Sequence, residues 1–177
     1  MPHYFLAFKL IPSSITDYQK EQAERLKKHY QTINPLDTAP AHITIKAPFH
    51  RSKFLEETWE NVRQYLITRP HSTITCEGLA HFNNTILYIP VHPDEQTKET
   101  LEEVRTILQQ DKQITWSKHE INPIYHLTLA KRISSPINRI LKETPLPPRV
   151  QIPIHNIHVF GKENESDPWN VRTFHYF

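Results

Sequence analysis

The stretch PAHITIKAPF, residues 40–49, decides how the rest of the chain is read. Side chains alternate faces along an extended backbone, so His42 and Thr44 share one face while Ile43 and Ile45 share the other. The isoleucine face reads as core. The histidine–threonine face is either solvated or chemical. The same pattern returns 84 positions later as His126-Leu127-Thr128-Leu129.

The elements around the two tetrads also repeat. Residues 3–11 read as a strand, and Ser14-Ile15-Thr16-Asp17 opens a helix with Ile15, Tyr18, Leu26 and Tyr30 near helical spacing. Pro35 and Pro40 mark a loop before the first tetrad. A second helix carries Leu55, Trp59, Val62 and Leu66 as one apolar stripe and ends before Arg69-Pro70. Residues 73–79 and 85–91 read as a hairpin around Phe82-Asn83-Asn84, where asparagine tolerates turn geometry. A third helix then carries Thr97, Leu101, Val104 and Leu108, followed by a strand over 124–130 holding the second tetrad. A short helix at 136–141, a proline-rich linker and two strands over 150–160 and 170–177 complete the chain.

Strand, helix, tetrad strand, helix and hairpin thus occur twice, with Pro12 and Pro90 78 positions apart. Two copies are too few for a solenoid. The expected architecture is a single α+β domain over 1–177: bilobal, with halves of approximately 3–83 and 84–177 related by a pseudo-twofold. Each lobe is expected to have an antiparallel sheet and helices, with the active cleft between them.

A length of 177 residues suits one domain able to bury its own core. The net charge of +2 is too small for a long duplex-binding face, leaving a single phosphate or a short oligonucleotide as the compatible anion. The one cysteine, Cys76, excludes an internal disulfide and a Cys-rich zinc site, and suits a reducing compartment such as the cytoplasm. The N-terminal block carries Lys9 and no basic leader, so it reads as the first strand, and no run is long enough for a transmembrane helix. With only Gly78 and Gly161 there is no Gly-rich phosphate loop, which excludes P-loop and Rossmann nucleotide sites.

With 12 histidines, chance alone supplies roughly one His-x-Thr, and a third does occur at His71-Ser72-Thr73. Requiring aliphatic residues at the second and fourth positions lowers that expectation to about 0.1 and leaves only the two tetrads. A twofold arrangement would set two His-Thr pairs across one cleft. Two imidazoles on opposite sides of a phosphodiester can divide the labour, one taking a proton from the attacking oxygen and the other giving one to the leaving oxygen. Histidine suits this with an ordinary pKa of about 6.5. The threonine hydroxyls can donate to non-bridging phosphate oxygens. The scheme requires neither metal nor cofactor.

On these two tetrads and the repeat, the chain resembles the 2H phosphoesterases, which include 2′-5′ RNA ligase-like proteins and cyclic nucleotide phosphodiesterases. Their signature is a pair of His-hydrophobic-Ser/Thr-hydrophobic motifs. The resemblance implies a metal-independent enzyme acting on a 2′,3′-cyclic phosphate or a 2′-5′ linkage at an RNA 3′ end, or on a small cyclic nucleotide derivative. It implies His42 and His126 as general acid and base, in either order, and Thr44 and Thr128 as phosphate-binding residues. Family members carry a basic residue after the second motif. Lys131 takes that position here, and Lys46, two residues past Thr44, is expected on the same face as a second cationic contact.

His155 and His158 have a spacing that can serve a metal, but in a strand they point opposite ways. Phe82, Phe160 and Trp169 could stack on a base, although sheet packing accounts for them more simply. Two further readings stand beside the phosphoesterase: a non-catalytic module binding an RNA end or nucleotide in the same cleft, and a histidine-based metallohydrolase.

Overall fold

The computed structural model describes residues 2–69 and 72–177. The third His-x-Thr begins at His71, outside the described residues. Among those described there are nine strands and four α-helices, and the strand expected over 73–79 is two, Ser72–Cys76 and Ala80–Phe82, both of which pair with Ile86–Pro93.

Strand β1 (His3–Lys9) leads into helix α1 (Ser14–Tyr30), where the Thr16 hydroxyl accepts the Ser13 amide at 2.7 Å and closes the N-terminal turn. Strand β2 (His42–His50) contains the first tetrad and precedes helix α2 (Glu56–Leu66). Strands β3 (Ser72–Cys76), β4 (Ala80–Phe82) and β5 (Ile86–Pro93) follow. Asn83 and Asn84, with φ of 47° and 59°, form the tight turn between β4 and β5. Both are left-handed, as the central residues of a type I′ turn must be, and the Thr85 amide closes that turn on the Phe82 carbonyl at 2.9 Å.

Helix α3 (Glu95–Gln110) starts at Asp94, whose carboxylate accepts the Thr97 amide at 2.7 Å. Strand β6 (His126–Lys131) holds the second tetrad, and helix α4 (Ile137–Glu143) leads to β7 (Val150–Ile154), β8 (Asn156–Lys162) and β9 (Asn170–Tyr176).

The strands form two antiparallel sheets, one ordered β2-β1-β8-β9 and the other built on β5, which is bordered by β6 and by β3 and β4, with β7 beyond β3. The lobes are therefore interleaved. Strands β3 and β4 come from the first half of the sequence but belong to the second sheet, and β8 and β9 from the second half complete the first. The expected halves, divided at 83/84, therefore do not coincide with the two sheets. The segment 150–160, expected as one strand, is two: it breaks at His155 because the chain passes there from one sheet to the other. Pro153 sits in β7 at a sheet edge, where its missing N–H removes no interior hydrogen bond.

The two tetrad strands are built alike. Lys9 stands opposite His42 and Ala7 opposite Thr44; in the other lobe Pro90 stands opposite His126 and Tyr88 opposite Thr128. Each ladder then slips at the same place. Leu6 pairs with Lys46, skipping Ile45, and Leu87 pairs with Ala130, skipping Leu129. These β-bulges put two consecutive residues on the inner side, so Ile45 and Lys46, and likewise Leu129 and Ala130, are all buried.

One core cluster joins the inner faces of both sheets to the helices. Leu6, Phe8, Ile43, Leu55, Val62 and Leu66 meet Leu87, Ile89, Leu101, Val104, Leu127 and Leu129 within it. Burial stabilises each such side chain by roughly 1.5–3 kcal/mol. A second, smaller cluster of Phe5, Ala7 and Phe160, flanked by Trp169, lies on the opposite face of β1 and β8. Among the described residues no helix is long and apolar enough to cross a membrane.

Candidate active site

A cavity of about 190 Å³ opens between the two sheets, and both tetrads face it. His42 and Thr44 line it from β2, His126 and Thr128 from β6, with Lys131 beside them and Gln19 reaching in from α1. Pro35, Leu36, Pro40 and Ile86 complete its wall.

The two imidazoles are held in the same way. His42 Nδ1 lies 2.6 Å from the Pro40 carbonyl, and His126 Nδ1 lies 2.7 Å from the Ile124 carbonyl, each two residues back along its own chain. A carbonyl can only accept, so Nδ1 carries the proton in both rings and Nε2 is the nitrogen available for chemistry. Neutral, Nε2 accepts a proton; charged, it donates one. Burial pushes the pKa of His42 below the ordinary imidazole value, the Pro40 carbonyl pulls it back, and the charges of Lys131 and His126 lower it further. His126 is lowered chiefly by burial, with the Ile124 carbonyl opposing and Lys131 assisting.

Aromatic pairs back both rings. Phe5 and Phe160 stack at 4.7 Å and 10°, and His42 packs against them at 5.0 and 6.1 Å. Phe82 and Tyr88 stack at 4.2 Å, with His126 at 5.0 and 5.1 Å. These contacts restrict ring rotation, so packing as well as the Nδ1 hydrogen bonds fixes the direction of Nε2. Phe82 and Phe160 thus pack beside the imidazoles, and Trp169 meets the edge of Phe5 at 4.6 Å and 89°.

The bulge in β6 explains how Lys131 reaches the cavity. Five residues beyond His126, it would face away from that histidine on a regular strand. The extra residue at Leu129–Ala130 returns it to the histidine side. Desolvation lowers its pKa. Its backbone exchanges two hydrogen bonds with Ile33, at 2.9 and 3.1 Å, which tie the wall-forming loop to β6.

The matching bulge in β2 does the reverse to Lys46. The expectation that it shares the face of Thr44 is corrected: Lys46 is turned inward, 1% exposed, and pairs with Glu120 at 2.7 Å. Glu120 also accepts the amides of Ala47 at 3.1 Å and Ser117 at 2.8 Å, while the Lys46 ammonium lies 4.8 Å from the Trp116 ring centroid. Lys46 is a structural cation outside the cleft. Desolvation lowers its pKa even against the hydrogen bond that the ammonium donates to Glu120.

Gln19 had no role in the sequence reading. Its Nε2 donates to the Thr128 carbonyl at 2.8 Å, joining α1 to the tetrad strand of the opposite half, and the residue is 2% exposed. Its signal was present: two glutamines, Gln19 and Gln22, interrupt the buried stripe Ile15, Ala23, Leu26. His158 is buried and stacked between Phe160 and Phe174. Among the described residues no group of three or more His, Cys, Asp or Glu side chains is placed to hold a metal ion. A larger groove of about 540 Å³, which includes Arg105 and Tyr125, lies beyond Ile124 and contains neither tetrad histidine.

Known proteins share this arrangement of sheets and helices. The chain is similar in structure to TT0787 of Thermus thermophilus, at 15% identity over 98% of this chain and 97% of that one, with a TM-score of 0.73. It is similar to E. coli LigT complexed with 3′-AMP, at 12% identity over 100% and 99% of the two chains, with a TM-score of 0.66. Kluyveromyces marxianus Usb1 is similar at 13% identity over 99% and 98%, with a TM-score of 0.56. At these identities the likeness is one of fold. No curated protein matches the chain in sequence. The family model described as the 2′-5′ RNA ligase superfamily matches residues 15–165, a span that contains both tetrads and the helices between them. With that match over most of its length and a two-lobed α+β fold, the chain belongs to the 2′-5′ RNA ligase superfamily of 2H phosphoesterases.

Proposed function

We propose that this protein is a metal-independent phosphoesterase that hydrolyses a 2′,3′-cyclic phosphate or a 2′-5′ phosphodiester, at an RNA 3′ end or in a small cyclic nucleotide derivative. The observation that carries this reading is the pair of Nδ1-anchored imidazoles lining one cavity with two threonines and a lysine. For a cyclic phosphate, the neutral imidazole takes a proton from water through Nε2 as the water oxygen attacks phosphorus. The bond from phosphorus to one ribose oxygen breaks, and the other ring, as imidazolium, gives that oxygen its Nε2 proton. The Thr44 and Thr128 hydroxyls donate to the non-bridging oxygens, and the Lys131 ammonium offsets their growing charge.

Solved structures of E. coli LigT with 3′-AMP, NADP+, ATP and phosphate support a nucleotide- or phosphate-sized ligand for this fold. The cytoplasm suits the single thiol, Cys76, which is fully buried and pushed up to about 11 by desolvation.

Steady-state hydrolysis of 2′,3′-cyclic mononucleotides and of a short oligoribonucleotide ending in a cyclic phosphate, with and without EDTA, tests the reading. Turnover indifferent to EDTA and lost in His42→Ala is expected. Nucleotide binding with no turnover on any substrate would overturn it in favour of a binding module. Turnover abolished by EDTA and restored by a divalent metal would instead indicate a metallohydrolase.

A further inference from the structure

The sheet that carries His42 continues past the cleft to a free edge at β9, and its outer face is lined with rings. Strand register sets the side chains in rows across it. Thr44 stands opposite Ala7, Ala7 opposite His158, and His158 opposite Phe174. In the next row His42 stands opposite Lys9 and Asn156 opposite Tyr176, while the Asn156 amide joins the two halves by bonding both the Lys9 amide and carbonyl, at 3.0 and 3.1 Å.

The rings make a continuous surface along these rows. His158 stacks on Phe160 at 5.9 Å and on Phe174 at 5.3 Å, and Tyr176 meets Phe174 at 5.3 Å and 70°. The inner members are buried, but Phe174 is 51% and Tyr176 57% exposed. Large rings left open to water side by side mark a surface that binds something. Desolvation, assisted by Lys9, pushes His158 down to about 4, so the ring beneath them is neutral and flat at pH 7.

Charge and continuity select the occupant. Lys9 is exposed, adjoins His42 in the same row, and has no ion-pair partner among the described residues. At the other end of β8 and β9 the acids Glu163, Glu165 and Asp167 stand among cations, Arg172 pairing with Glu163 at 2.6 Å and Lys162 bonding the Glu165 carbonyl, so the unpaired charge that favours a polyanion on this face is Lys9, beside His42. From β2 to β9 is three strand spacings, about 14 Å.

We propose that this face is a stacking platform for single-stranded RNA. With the reacting end between the two imidazoles, the adjoining nucleotide sets its phosphate beside Lys9 and the bases lie on Tyr176 and Phe174. The assignment rests on the phosphoesterase reading and narrows its substrate from any cyclic nucleotide to an oligoribonucleotide. Aromatic platforms hold unpaired bases with little regard to sequence, so the platform selects for strand length and not for a particular base.

The test uses a 5′-fluorescent oligoribonucleotide ending in a 2′,3′-cyclic phosphate, bound to the full chain carrying His42→Ala so that the ligand persists. Phe174→Ala and Tyr176→Ala, added singly, should each raise Kd about fivefold or more. Phe174→Tyr and Tyr176→Phe should keep the affinity, and Lys9→Gln should flatten its salt dependence. In the otherwise native chain, kcat/KM for a cyclic mononucleotide should not change with Phe174→Ala or Tyr176→Ala.

If the alanine variants bind the oligonucleotide as tightly as their parent, or if it binds no better than a mononucleotide, the platform is wrong, and mononucleotide turnover still decides the phosphoesterase reading separately. Ring-dependent binding without turnover of any substrate would keep the platform and end the enzyme reading. A dimer that becomes monomeric in sedimentation when the rings are removed would overturn the platform and assign the face to a second copy of the chain.

Discussion

Replacing Glu120 by alanine separates the structural role of Lys46 from the cleft. In the native chain the Glu120 carboxylate accepts the Lys46 ammonium at 2.7 Å, the Ala47 amide at 3.1 Å and the Ser117 amide at 2.8 Å. Lys46 is 1% exposed, so Glu120→Ala leaves a buried ammonium with only the Ala47 carbonyl, at 3.0 Å, and nearby aromatic faces. Removing one partner of a buried pair costs roughly 3–5 kcal/mol. The Glu120 side chain is 14% exposed, so water partly replaces it and the lower end, about 3 kcal/mol, is expected. For a domain of this size that is a fall in Tm of roughly 6–12 °C.

Urea and thermal unfolding measure the loss. The double variant Lys46→Met/Glu120→Leu should recover most of it, because a buried pair contributes little over an apolar replacement of similar volume. Kinetics of the folded fraction should stay native. A loss under about 1 kcal/mol, the range of exposed pairs, would refute the buried-pair account. So would native stability combined with a loss of phosphate affinity, which would return Lys46 to the cleft.

Further outcomes follow from the cavity. Burial lowers both imidazole pKa values, so the bell-shaped pH–rate profile should be centred on the acid side of the ordinary imidazole value, and Lys131→Met should move it toward higher pH by removing a charge that lowers both rings. No movement would remove Lys131 from the site's electrostatics. Thr44→Val and Thr128→Val should each reduce kcat by about 10²–10³ with little change in Tm, as loss of a donor to developing charge does; a pure KM effect would limit the hydroxyls to ground-state binding. Glu120 also sets an acid limit on stability. Burial alone raises its pKa, but the hydrogen bonds from Lys46 and Ser117 outweigh burial and hold it below the usual value. Its contribution is therefore present above the unfolded-state carboxylate pKa and lost as pH falls through the folded value. Unfolding midpoints of native chain and Glu120→Ala should converge in that window.

Much of this was legible in the sequence because it depends on local periodicity. Alternation placed Ile43, Ile45, Leu127 and Leu129 in the core and sent His42, Thr44, His126 and Thr128 the other way, and the structure gives those four one cavity. The apolar stripes located α2 and α3, and the asparagine pair located the tight turn. What failed was the assumption of an unbroken two-residue period. A bulge is set by how a strand meets its partner, and nothing in Ile45-Lys46 announces one, so Lys46 was carried to the wrong face. The slip at Leu129–Ala130 worked in the opposite sense and delivered Lys131. Interleaving of the sheets also depends on pairing between distant strands, which local pattern does not report. Gln19 was visible as a polar residue in a buried stripe, but its partner, the Thr128 carbonyl, lies 109 positions away.

The central claim is that His42 and His126 act as one unit on a single phosphate. The most direct measurement is kcat for a 2′,3′-cyclic nucleotide in the native chain, His42→Ala, His126→Ala and the double variant, each shown to be folded. Groups that act together are non-additive, so each single change should lower kcat by about 10²–10⁴ and the double should be scarcely slower than either. Near-native turnover in one single variant, or losses that multiply in the double, would show two independent histidines and contradict the account.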